Sequence, residues 1–74
     1  MRFTRITIEP GKMGGAPCIR GMRFPVATVV RMVAAGMSVQ QILDEHPALE
    51  AEDIAEALRF AAAAVDGIDL PVAG

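Results

Sequence analysis

Much that would announce a chemistry is scarce in these 74 residues. Cys18 is the only cysteine, so no disulfide can close within the chain, and a reducing compartment is expected. His46 is the only histidine, which leaves a metal site short of ligands, and no cofactor is expected. Large apolar side chains are few: the chain is 53% hydrophobic, but 13 of those residues are alanine. No apolar run approaches the ~20 residues of a membrane span; the longest candidate is FAAAAV at 60–65. The opening MRFTRITIEPG sets charges and threonines where a signal peptide needs an apolar stretch. One small cytoplasmic domain with no membrane contact is the expectation. So thin a core gains from a second chain, and a homodimer is expected.

Phosphate-binding loops are missing too. GKMGG at 11–15 lacks the first glycine and the Ser/Thr of the Walker pattern, and it leads into a strand rather than a helix. The dinucleotide fingerprint fails as well, so no small-molecule substrate is expected. Cys18 and His46 as a catalytic pair is a weak reading. A cysteine beside Ile19 reads as a small buried residue, and a histidine before Pro47 as a helix C-terminal cap. The expectation is a protein that is not an enzyme.

Charge of one sign is scarce in each half. Residues 1–31 carry Arg2, Arg5, Lys12, Arg20, Arg23 and Arg31 against Glu9, a balance of +5. Residues 32–74 carry Arg59 against eight acids, a balance of −7. Either the halves serve two kinds of partner, or they attract each other within the chain or across a dimer.

The alternation Thr4, Ile6, Ile8 predicts a half-buried strand, and PGKMGG breaks it. CIRGMRF at 18–24 reads as a second extended segment, with Gly21 as a bulge or a close backbone approach. From Pro25, a good first helical residue, Val26, Val29, Val30 and Val33 recur at helical spacing. Gly36 ends that helix, Ser38 caps the next, and Pro47 stops it. A third helix is expected from about Ala51 to Val65, with Ile54, Leu58, Ala61 and Val65 as its core stripe. Phe60 falls on the polar side beside Asp53 and Glu56. It is a candidate anchor for another chain, or it tucks against Phe3 or Phe24. The domain reading is a β-hairpin arm at 1–24, a three-helix core at 25–67 and a tail at 68–74. The fold class is mostly α, with a helix-turn-helix-like core and a short N-terminal β-hairpin.

In such a core the third helix would enter the DNA groove N-terminus first, but there it carries Glu50, Glu52 and Asp53. DNA, if bound, falls to the basic arm through Arg2, Arg5, Lys12, Arg20 and Arg23. Alternatively, Arg20 and Arg23 anchor the arm to acids of the helices.

GGAPCIRGMRFPV at 14–26 and AAGMSVQQILDEHPALEAEDIAEALRFA at 34–61 resemble a small bacterial family, domain of unknown function 433. Gly15, Pro17, Ile19, Gly21, Arg23, Pro25 and Val26 match its opening run. Gly36, Ile42, Leu43, Pro47, Leu49, Ile54, Ala57 and Leu58 match its helical part. Ala16 stands where the family has lysine, and Met22 where it has threonine. The resemblance spans about residues 5–62. It implies a homeodomain-like fold and a type II antitoxin encoded beside a PIN-like ribonuclease toxin, which it neutralises. Operon autoregulation through DNA is a further expectation; a regulator without a toxin and a structural homodimer are the alternatives. The toxin contacts expected are Glu56, Phe60, Asp66, Ile68, Asp69 and Leu70.

Overall fold

The computed structural model describes residues 3–68 and 71–72. Two strands, β1 (Ile6–Thr7) and β2 (Cys18–Ile19), pair antiparallel with Ile6 opposite Ile19 and Thr7 opposite Cys18. Three helices follow: α1 (Val26–Ala34), α2 (Val39–Glu45) and α3 (Ala51–Val65). The fold is a small, mostly α domain with a hairpin at its N-terminal side, as expected.

The hairpin differs from expectation in its second limb. β2 stops at Ile19 instead of running to Phe24. The chain reverses there in a tight turn, with Arg20 at φ 45° and Gly21 at φ 72°, and the Met22 N–H donates to the Ile19 carbonyl at 2.8 Å. Two consecutive positive φ angles make this a type I′ turn, the hand that suits a twisted ribbon. Gly21 therefore supplies left-handed backbone rather than a bulge. Phe24 and Pro25 return along the other side of β2: Ile19 N–H donates to Phe24 C=O at 2.9 Å, and Cys18 bridges Pro25.

Pro25 is the N-cap of α1, one residue before its expected place. Gly36, at φ 90°, closes α1 in a Schellman motif: Met37 N–H donates to Met32 C=O at 3.1 Å and Gly36 N–H to Val33 C=O at 3.0 Å. Ser38 and Gln41 then form a reciprocal capping box at the start of α2. Pro47 follows the C-cap His46, whose ring meets Phe24 edge-on at 5.0 Å.

Ile19, Val26, Val29, Ile42, Leu49, Ile54 and Ala57 form the core. α1 lies along α3, and α2 closes one end. Cys18 is buried beside it, its Sγ donating to the Ala16 carbonyl at 3.4 Å, which gives it a packing role. No helix among the described residues is long and apolar enough to cross a membrane.

Candidate functional site: an ionic clasp beside an apolar groove

The predicted face of α3 enters the fold only in part: Ile54 is buried and Ala61 packs against the core. Asp53, Ile54, Glu56 and Ala57 are buried, whereas Leu58 and Val65 of the expected stripe are 37% and 56% exposed. The helix is rotated toward its acids because the hairpin brings basic groups to meet them.

Arg5, just before β1, and Arg20, just after β2, converge on Asp53. Arg20 donates from Nε to Asp53 Oδ1 at 3.1 Å and from Nη2 to Oδ2 at 2.8 Å, and Nη2 also donates to the Ala48 carbonyl at 2.7 Å. Arg5 Nη1 donates to Asp53 Oδ1 at 2.9 Å and to Glu50 Oε1 at 2.6 Å. The Glu50 backbone N–H adds a bond to Asp53 Oδ2 at 2.8 Å. Glu56 accepts the Arg5 backbone N–H at 2.5 Å. Among the described residues, no buried side-chain polar atom is left without a partner.

Burial alone would push the Asp53 carboxyl up. The bonds from Arg20, the Glu50 N–H and Arg5 outweigh it and hold the group below its ordinary value. Arg5, bonded first to Glu50 and then to Asp53, and Arg20, bonded to Asp53, are held more firmly protonated than usual.

These placements bear on several expectations. Arg5 and Arg20, assigned to DNA, are engaged with carboxylates of α3. Lys12, also assigned to DNA, pairs with Glu9 at 3.1 Å and donates to the Gly21 carbonyl. Arg23 is exposed, and no described carboxylate pairs with it; Arg2 lies outside the described residues. Glu56, expected at a toxin surface, is buried under the hairpin, where its carboxylate satisfies the strand backbone. Phe60 is half-buried and meets Phe3 edge-on at 5.1 Å, the tucked alternative. Asp66 is exposed at the C-cap of α3, and Ile68 is 51% exposed. Asp69 and Leu70 lie outside the described residues.

Beside the clasp lies an open groove of about 390 Å³. Ala16, Pro17 and Pro25 floor one end. Val26, Ala27, Val30 and Arg31 of α1 form one wall, and Phe60, Ala61, Ala64 and Val65 of α3 the other. Its lining is apolar except for Arg31, for which no described carboxylate serves as partner. Only Phe60 of this set is a predicted contact. The available signal was the alanines at 27, 61 and 64: small side chains on facing helices leave a channel where leucines would close it. Among the described residues, no three His, Cys, Asp or Glu side chains gather as metal ligands would. The groove can take apolar side chains and a carboxylate beside Arg31.

Comparison with known proteins places this architecture. The uncharacterized protein y4eO of Sinorhizobium fredii (strain NBRC 101917 / NGR234) is 45% identical over 58 residues, which are 78% of this chain and 26% of that protein. The crystal structure of a DUF433 member from Anabaena variabilis ATCC 29413 superposes with a TM-score of 0.78 at 34% identity, covering 84% of this chain and 61% of that one. The chain thus spans about a quarter of the curated relative's length. The profile of the family described as protein of unknown function (DUF433) matches residues 6–61, nearly the whole clasped domain, and the chain belongs to that family.

Proposed function

We propose that this chain is a non-enzymatic protein-binding module, the antitoxin of a type II pair, which neutralises a PIN-like ribonuclease by taking an apolar segment of it into the α1/α3 groove. The carrying observation is the groove itself: ten apolar lining residues and one arginine, open to solvent. Such a surface suits a helix or strand edge carrying apolar anchors and a carboxylate. The clasp supports the reading from the other side. By locking the hairpin onto α3, it holds Ala16, Pro17 and Phe60 in place as one end of the groove, so a partner meets a preformed surface. Exposed Asp66 and Ile68 stand just beyond Val65 and extend the contact toward the tail.

The test is co-expression with the product of the adjacent gene, followed by an RNA-cleavage assay. The expected result is co-purification and suppressed cleavage. An Ala64→Asp variant, at an exposed groove position, should release the partner and restore cleavage while its far-UV circular dichroism stays that of the parent, because a charge in an apolar interface is costly. A neighbour that is not PIN-like, or one whose cleavage this protein leaves untouched, overturns the reading.

A further inference from the structure

A second apolar surface lies on α3, away from its buried face. Ala51, Ala55, Leu58, Ala62 and Val65 succeed one another at intervals of four, three, four and three residues. That is the a/d spacing of a coiled-coil seam. Ala51, Leu58, Ala62 and Val65 are exposed and Ala55 is half-buried. No charged residue interrupts the line. Three of the five are alanines, so a partner helix can approach toward the close end of the ~8–10 Å interaxial range.

The flanks select the partner. Glu52, Arg59 and Asp66 repeat every seven residues along one edge of the seam, at the e positions. The g edge, Ile54 and Ala61, is turned into the core. A parallel pair relies on g-to-e bridges and finds no charge at g; an antiparallel pair sets e against e and finds both signs. Setting Leu58 against Ala55 of a second copy, and Ala62 against its Ala51, brings Arg59 beside Glu52 of that copy, and the two-fold axis repeats the pair. Setting Leu58 against Ala62 instead would bring Arg59 beside Arg59 and Glu52 beside Asp66, which repel. Within one chain Arg59 and Glu52 already pair at 2.7 Å with 47% and 55% of their side chains exposed, so the pair is accessible for exchange.

We propose that this face is where the chain meets itself: α3 pairs antiparallel with α3 of a second copy along Ala51, Ala55, Leu58 and Ala62, with reciprocal Arg59–Glu52 pairs on one flank. Of the seam residues only Val65, which lies beyond the paired stretch, also lines the groove, so occupancy of the groove by a different protein is a separate matter.

Sedimentation equilibrium of the full chain tests this. The expected mass is twice the 7.8 kDa of the monomer. Leu58→Glu should weaken association at least ~10-fold with unchanged helicity, since the residue lies outside the core. Arg59→Glu should weaken it too, and Glu52→Arg with Arg59→Glu should restore it. Under oxidation, an Ala51→Cys/Ala62→Cys variant should cross-link, and Ala62→Cys alone should not. A monomer at all concentrations overturns the proposal. So does a dimer that survives Leu58→Glu, or an efficient cross-link through position 62 alone, which indicates a parallel pair. Should Leu58→Glu lose helicity, the charge swap carries the test.

Discussion

Arg5 and Arg20 reach one carboxylate, Asp53, which has no exposed surface. Removing that charge while keeping its shape, as in Asp53→Asn, leaves two guanidinium groups facing an amide that can accept from only one side. A fully buried pair broken this way costs ~3–5 kcal/mol. The arginines here keep 29% and 36% of their side-chain exposure and can recruit water, so a loss of about 2–3 kcal/mol in urea unfolding is expected. The pH dependence follows with its sign. The Asp53 carboxyl is depressed in the folded state, so its stabilisation is complete above the ordinary carboxylate value of about 4 and disappears as pH falls through the lower, folded value. Unfolding free energies measured across that acid limb should converge for the parent and Asp53→Asn; parallel curves would show that the charge is not what binds the hairpin. At Arg20 the backbone and the side chain pull in opposite directions. Its φ of 45° costs ~1–2 kcal/mol, which asparagine would partly relieve in a type I′ turn. The bonds to the buried Asp53 carboxylate and to the Ala48 carbonyl together outweigh that gain. Arg20→Asn is therefore expected to lower the urea midpoint despite the better turn residue.

At the scale of elements, the bounds of each helix could be read and the buried face of α3 only in part, through Ile54 and Ala61. Gly36, Ser38 and Pro47 act on the backbone next to them, so the ends of α1 and α2 are local facts. α3 likewise starts and stops where its acidic first turn and Asp66-Gly67 place it. Its orientation is a non-local fact. Periodicity sends Asp53 and Glu56 to solvent; the structure buries both because Arg5 and Arg20, 48 and 33 residues away from Asp53, arrive to satisfy them. The groove was hidden for the same reason: its walls are assembled from α1 and α3, and only Phe60 stood out by type. The rotation makes a sharp prediction. Ile54→Ala opens a cavity in the core and should cost ~2–5 kcal/mol. Leu58→Ala, at a concentration where the chain is monomeric, should cost less than ~1 kcal/mol. Chemical denaturation of the two variants side by side decides it: equal losses would restore the face predicted by periodicity.

Across the whole molecule, the split between a +5 half and a −7 half is partly spent within the chain. Arg5 and Arg20 close onto Glu50 and Asp53, and Lys12 closes onto Glu9. The exposed basic groups that no described carboxylate engages are Arg23 and Arg31. Duplex binding scales with the number of phosphates neutralised: each contact adds about −0.9 to the slope of log K against log salt. Two or three contacts per chain predict a slope no steeper than about −3 and an affinity in the non-specific range, ~10⁻⁴ to 10⁻⁶ M. Fluorescence anisotropy on a duplex carrying the upstream promoter, repeated across a salt series, measures both quantities. Arg23→Ala should flatten the slope by about one contact, and Arg5→Ala should act through stability, lowering the unfolding midpoint before it changes binding. A slope of about −4 per chain with nanomolar affinity would require Arg5 and Arg20 to leave Asp53 for phosphate. The clasp would then open on DNA, and the hairpin would be a DNA-reading arm instead of one end of the groove.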